Sequence, residues 1–434
     1  MPVNLNSLEI KLDNSLIKNS FNENNCGPEG TCSIQNDSSN NDYELTDPEI
    51  IMPDTGHKIT LIVKVTNKCN LDCPYCYNQL KADWDQVMSL EMVEEIAIKF
   101  KGHINTWTWH GGEPTLMGIE WFKKAHKIIR NICGDINIAI QTHGGTINQE
   151  WIDFYKQEKM HPGLSFDGYN NDLTRKNTRQ LLKNMDLLRE NGIEPAAILV
   201  ITKDNTHRLN EEYELFKKLK IKGMFNQVFE VHNVDSKDAR NEYVKSQDMA
   251  LNICDHFDYW IKDKDNPIDI YLATRYLGML LESRNNLCEH INCTGGWVAV
   301  YPNGDLYPCG RDWLPEAKFG ALSEISSWED FQKLNQLKKF KEDVRIMLDG
   351  HCLQCEWYNS CKGGCYADAW ESGVGVKKPH SNYCESTKII LSHIWNTIKD
   401  INLEEDYDNY NPIFIKILQE HSFRTMSDIK NLQK

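Results

Sequence analysis

The chain has 434 residues, 26% of them charged, with 15 Cys and a formal net charge of −15. A chain of this length buries a core without disulfide staples, and its acidic balance, with no basic run or aromatic-and-Arg stripe, argues against a nucleic-acid partner. It also lacks an apolar run of about 18 residues and a charged-then-apolar N-terminus, so the expectation is a cytoplasmic protein with no membrane partner, whose clustered thiols serve as metal ligands or catalytic groups rather than disulfides.

From Phe21 to His57 there are eight Asp or Glu and no Lys or Arg, including the polar run QNDSSNND. Residues 1–57 therefore read as a flexible acidic arm. Cys26 and Cys32, in CGPEGTC within it, read as exposed thiols.

Between residues 58 and 238 six β-type runs, ITLIVKV, TWTWH, INIAIQ, GLSF, AAILVI and MFNQVFE, alternate with amphipathic helical patterns. One helix opens with Ser89 as N-cap, repeats Leu90, Val93, Ala97 and Phe100 on one face, and can end at Gly102. Its apolar stripe must lie against a sheet. Repeated strand–helix–strand units give parallel strands joined by right-handed crossovers. The expected fold is α/β, an open or partial (β/α)6 barrel, with functional residues at the C-terminal strand ends.

Directly after the first strand the chain reads Cys69-Asn-Leu-Asp-Cys73-Pro-Tyr-Cys76. Three thiolates in one loop can converge on one metal centre. A [4Fe–4S] cluster normally takes four, so three leave one iron open to an outside ligand. A structural zinc site would want a fourth ligand nearby, and the next downstream His is His103. The second strand ends in Trp-His110-Gly111-Gly112-Glu113-Pro114, where two glycines permit close backbone approach. The third ends in Gln141-Thr142-His143-Gly144, the fourth in Ser165-Phe166-Asp167-Gly168, and Arg175 follows in NDLTR.

With these elements in place the sequence resembles the radical S-adenosylmethionine superfamily, from roughly Thr60 to Asn396. The resemblance implies that Cys69, Cys73 and Cys76 hold the cluster that cleaves S-adenosylmethionine to a 5′-deoxyadenosyl radical. It implies that Gly111, Gly112 and Glu113 bind the cofactor's amino group, that Ser165 and Asp167 face its ribose, and that Arg175 meets its carboxylate. Tyr75 is placed near the adenine, and Gln141 belongs to the same binding set. His143 and Asn171 stand where Asn and His are commoner in the family.

Residues 239–287 carry helical patterns and read as a linker. Residues 288–385 are rich in Cys, Gly and Trp, with a hairpin signal in YPNGDLYP, where Asn303-Gly304 suits a tight turn. Eight thiols stand here: Cys288, Cys293, Cys309, Cys352, Cys355, Cys361, Cys365 and Cys384. From Cys293 onward the spacing resembles the SPASM domain, with zinc ribbons as the competing reading of the Cys-x2-Cys unit. That resemblance implies one auxiliary [4Fe–4S] cluster on Cys288, Cys293, Cys309 and Cys365 and another on Cys352, Cys355, Cys361 and Cys384, three clusters in all. Residues 386–434 return to helical periodicity, while Cys133 and Cys254 lie in helical patterns as small buried hydrophobes.

Relatives of SPASM type mostly act on peptides or protein side chains, so the expected substrate is a peptide or protein. An external one-electron donor of flavodoxin or ferredoxin type is expected, and a separate leader-binding protein can supply recognition. Sulfatase maturases of the family carry an Asp directly after the cysteine that corresponds to Cys309. Here Gly310 and Arg311 follow, with Asp312 displaced as a base candidate beside Glu230 and Asp235. The departure favours ribosomal-peptide maturation over formylglycine formation. Small-molecule alcohol dehydrogenation and simple iron–sulfur electron transfer are the alternatives.

Overall fold

Six parallel strands follow the expected order: β1 (Ile59–Thr66), β2 (Ile104–Gly111), β3 (Asn137–Thr142), β4 (Gly163–Ser165), β5 (Ala196–Ile201) and β6 (Lys222–Gln227). Each pairs in parallel with its neighbour in sequence. The connections run through α1 (Leu90–Lys99), α2 (Ile119–Cys133), α3 (Gln149–Gln157), the short turn α4 (Asn171–Thr174) with α5 (Thr178–Glu190), and α6 (Leu209–Lys218). This is the partial (β/α)6 barrel expected from the sequence. The structure, a computed structural model, describes residues 58–76, 85–228, 244–281, 296–311, 315–367, 369–371, 375–376, 384–399, 401 and 406–421.

The helix α1 forms where its signals predict. Ser89 Oγ accepts from the Met92 N–H at 3.2 Å, Val93, Ile96 and Ala97 are buried, and Gly102 leaves the helix end at φ +83°.

Alternation along β2 sends Trp107 and Trp109 to the helix side. The Trp109 ring lies edge-on to Trp121 and Phe122, at 5.6 and 5.4 Å between centroids. Its Nε1–H donates to His126 Nε2 at 2.9 Å, which leaves His126 Nδ1 to donate to Glu158 Oε2 at 3.0 Å. His110, between Trp109 and Gly111, takes the opposite face and turns into the barrel.

The sheet does not stop at the sixth strand. Strand β7 (Trp297–Val300) pairs in parallel with β1, and β8 (Asp305–Tyr307) and β9 (Gly320–Ala321) add antiparallel strands, making a nine-stranded sheet. The β7–β8 turn uses Gly304 at φ +86°, whose N–H donates to Tyr301 O at 2.9 Å. Lys64 of β1 is fully buried and donates to Tyr301 Oη at 3.0 Å, and Tyr301 Oη donates to Arg311 O. A sequence reading that begins a separate region at residue 288 misses this continuity, because WVAV is a four-residue run.

The remaining described α-helices are α7 (Ser246–Trp260), α8 (Ala273–Leu280), α9 (Trp328–Lys333), α10 (Asn335–Met347), α11 (Tyr358–Cys361), α12 (Cys384–Ile398) and α13 (Pro412–His421), with a small ladder of β10 (Trp370–Glu371) and β11 (Gly375–Val376). Helix α13 docks on α7: Phe414 packs edge-on to Phe257 at 6.2 Å, and Asn411 Nδ2 donates to Trp260 O at 2.9 Å. Cys254 is buried in α7, and half-buried Cys133 donates to Ala97 O, so both are packing residues. Among the described residues no helix is long and apolar enough to cross a membrane. Cys26, Cys32, Glu230, Asp235, Cys288, Cys293 and Asp312 lie outside the described residues.

Candidate active site

The loop carrying Cys69, Cys73 and Cys76 leaves the end of β1 and is clamped there by the end of β2. The Gly112 N–H donates to Thr66 O at 2.8 Å and the Glu113 N–H to Lys68 O at 2.7 Å. Gly111 has φ +133°, and a β-carbon on it would collide with Thr66 O; one on Gly112 would collide with Asn67 O and Lys68 O. The glycines thus permit close approach as the sequence implies, but what approaches is the backbone of the thiol loop. The amides of Gly112 and Glu113 are spent on that clamp.

Glu113 is 1% exposed. Its Oε1 accepts from the Thr115 N–H (3.0 Å), Thr115 Oγ1 (2.5 Å) and Thr142 Oγ1 (2.7 Å), and its Oε2 from the His143 N–H (2.8 Å). The carboxylate therefore ties the end of β2 to the end of β3. His143 extends the tie: its Nδ1 accepts from the Gly145 N–H, so Nε2 carries the hydrogen and donates to Asn70 Oδ1 at 2.7 Å, inside the thiol loop. The departure at His143 is thus a contact in its own right.

Asp167 is a second node, also 1% exposed. Its Oδ2 accepts from Tyr75 Oη, from Thr174 Oγ1 at 2.7 Å and from Arg175 Nε at 2.9 Å, and its Oδ1 from the Val200 N–H at 3.2 Å. Arg175 Nη1 reaches to 3.9 Å from Cys73 Sγ, and its guanidinium lies 5.5 Å from the Tyr75 ring centroid. Burial pushes the Cys73 thiol up to about 12, opposed by the Arg175 charge, and the Cys69 thiol up to about 11. Burial also raises the Tyr75 phenol well above its ordinary value, so it stays a donor.

These nodes frame a cavity of about 320 Å³. All three thiols line it, together with Tyr75, Gly111, Gly112, Glu113, Gln141, Ser165 and Arg175. Gln141 Nε2 donates to Ser165 Oγ at 3.1 Å across neighbouring strands. Asp167 is not among the lining residues: it holds Tyr75 and Arg175 from behind the wall.

Among the wall residues that sequence reasoning missed are Asn226, Gln227 and His110. Asn226 and Gln227 end β6, where the rule of C-terminal strand ends would have found them. His110 was quoted only as the neighbour of the glycines. Its Nδ1 accepts from the Gly111 N–H at 2.9 Å, so Nε2 bears the hydrogen. Burial, and then the Lys64 charge, hold its pKa near 4, so it is a neutral ring in the cavity wall.

The C-terminal thiols form a second group. Burial lifts Cys352 to about 11, and the charges of Cys384 and Cys355 add to it; burial lifts Cys361 to about 12, with Cys384 and Cys352 next. Cys352, Cys355, Cys361 and Cys384 are therefore within electrostatic reach of one another. Among the described residues no three His, Cys, Asp or Glu side chains are arranged to hold a single metal ion. Three soft thiols on one cavity, and four in the C-terminal group, are the donor chemistry of iron–sulfur clusters.

Residues 63–216 match the model described as the Radical SAM superfamily. A cysteine-type anaerobic sulfatase-maturating enzyme of Clostridium novyi (strain NT) is 28% identical over 360 residues, covering 76% of this chain and 92% of that one. Among solved structures, native anSMEcpe with bound AdoMet is similar with a TM-score of 0.66 at 25% identity, over 78% of this chain and 97% of the other. Streptococcus suis SuiB bound to precursor peptide SuiA is similar with a TM-score of 0.54 at 17% identity, over 77% and 76%.

Proposed function

We propose that this chain, a radical SAM enzyme of the SPASM type, binds S-adenosylmethionine and a [4Fe–4S] cluster in the cavity at the barrel mouth and abstracts hydrogen from a peptide, maturing a ribosomally made precursor. The observation that carries the reading is that Cys69, Cys73 and Cys76 line the same cavity as Gln141, Ser165 and Arg175, three side chains from three different strand ends or loops. Three thiols leave one coordination place for an outside ligand. When bound there, S-adenosylmethionine on such a cluster supplies hydrogen-atom abstraction.

The chain's own residues do the placing. Arg175, held by Asp167, offers its Nη groups to a carboxylate. Gln141 and Ser165 present an amide oxygen and a hydroxyl to hydroxyls. On the substrate side, Ile198, Val200 and Val228 exclude water, while His110, Asn226 and Gln227 offer uncharged donors and acceptors that match peptide amides. AdoMet in anSMEcpe and the precursor peptide in SuiB support the two ligands by likeness. Two auxiliary clusters on the eight C-terminal thiols would relay electrons, from an external flavodoxin- or ferredoxin-type donor in the cytoplasm.

Formylglycine formation is the second reading, favoured by the name of the Clostridium novyi relative. Against it stands Gly310, directly after Cys309, where a β-carbon would lie 2.8 Å from Ile62 Cγ2. The deciding experiment incubates anaerobically reconstituted protein with S-adenosylmethionine, a reductant and synthetic peptides, some with a sulfatase-type cysteine and some from short reading frames beside the gene. Release of 5′-deoxyadenosine with a peptide that loses two hydrogens supports maturation. A thiol-bearing carbon turned to an aldehyde favours the second reading, and no 5′-deoxyadenosine under any condition sinks both.

A further inference from the structure

Glu212 of α6 is fully buried and takes no part in the cavity wall. Its Oε2 accepts from the Tyr169 N–H at 3.1 Å and occupies the space where a β-carbon on Gly168 would sit. Gly168 has φ +57°, so that position is reserved for glycine on two counts. Oε1 lies 3.2 Å from Arg208 Nε. Arg208 reaches onward to Asn170 Oδ1 at 2.6 Å, with its guanidinium 5.7 Å from the Tyr169 ring centroid. The Glu212–Arg208 pair therefore grips all three residues of the turn from Gly168 to Asn170.

That turn begins at Asp167 and leads into Arg175. A buried ion pair contributes little stability after desolvation, and this one leaves Glu212 Oε1 and Arg208 Nε without hydrogen bonds. Its geometry is better explained by what it fixes. From the pair, contacts run through the turn to Asp167, from Asp167 to Tyr75 and Arg175, and from Arg175 to within 3.9 Å of Cys73 Sγ.

We propose that Glu212 and Arg208 are positioning residues for the cofactor-facing wall: by fixing the turn they hold Asp167, and through it Tyr75 and Arg175, where S-adenosylmethionine meets them. The inference rests on the reading of the cavity as a site for that cofactor.

The test has two arms on the full chain: calorimetric titration of the cluster-loaded protein with S-adenosylmethionine, and hydrogen exchange of residues 167–175 in the metal-free protein. Glu212→Gln keeps an oxygen for the Tyr169 N–H and should bind within about threefold of wild type. Glu212→Leu orphans that N–H and should weaken binding at least about fivefold, with faster exchange confined to residues 167–175. If Glu212→Leu fails to fold, Arg208→Gln, which releases Asn170, takes its place with the same expected direction. Wild-type affinity in the Leu variant, or exchange quickened evenly across the barrel, overturns the inference. Wild-type protein that binds no S-adenosylmethionine overturns the reading of the cavity itself, and the positioning role with it.

Discussion

Tyr75 and Asp167 stand 92 residues apart and share a buried hydrogen bond, phenol to carboxylate, that fastens the thiol loop to the end of the fourth strand. The same carboxylate oxygen receives Arg175 and Thr174, so one side chain sets the position of two wall residues, Tyr75 and Arg175.

Asp167→Asn removes the charge that Arg175 is buried against. Stripping one partner from a buried pair leaves the other uncompensated, so the variant should lose about 3 kcal/mol of stability by urea denaturation, whereas Tyr75→Phe should lose about 1 kcal/mol. An Asp167→Asn protein with an unchanged midpoint would remove Asp167 from its place as a node.

The two thiol groups should separate by function. Alanine at Cys69, Cys73 or Cys76 should abolish release of 5′-deoxyadenosine along with one cluster's iron. Alanine at Cys352, Cys355, Cys361 or Cys384 should lower iron content yet leave cofactor cleavage measurable, and Cys133→Ala should change neither. Iron assay and chromatography of the nucleoside read both outcomes.

Gly112→Ala places a methyl group against the carbonyls of Asn67 and Lys68, and backbone cannot yield as a side-chain tip can. A loss of about 3 kcal/mol or more, or failure to accumulate soluble protein, is expected. Gly102→Ala, where nothing lies within 4 Å of the added carbon, strains only its φ of +83° and should cost about 1 kcal/mol. Equal thermal shifts in the two variants would contradict the clamp.

Acid sensitivity follows from His256, fully buried on α7 with Nδ1 against Asn210 Oδ1 at 2.9 Å and Nε2 unbonded. Burial holds its pKa near 3 against the usual 6.5. Because the folded value lies below the unfolded one, the stability it confers is complete above pH 6.5 and is lost as the pH falls from there toward 3. The slope is at most about 1.4 kcal/mol per pH unit from this group. His256→Leu should flatten denaturation free energy against pH over that window, and an unaltered slope would rule the residue out.

The fold was readable because its signals are local. β-type runs mark six strands, Ser89 and Gly102 bracket a helix, and the strand-end motifs sit where a parallel barrel puts its chemistry. The partners of those motifs were not readable. Glu113 looks in sequence like a free carboxylate beside two glycines, yet its oxygens are filled by Thr142 and the His143 amide, 29 and 30 residues on. Asp167 likewise reads as a ligand-facing acid and turns inward to Tyr75. Such bonds depend on which strand ends become neighbours, which no spacing within one motif reveals. His110 escaped notice because a lone histidine before glycines carries no pattern, and its neutrality arises first from burial and then from the charge of Lys64, its register partner on the adjacent strand.

The parallel pairing of β7 with β1 has a consequence for how the polypeptide can be divided. A fragment ending at residue 281 would leave β1 as an edge strand, with the amides and carbonyls that now meet Trp297 to Val300 open to any passing chain. Exposed edges of that kind invite self-association, so the isolated barrel should aggregate even though its own six strands and their helices are intact.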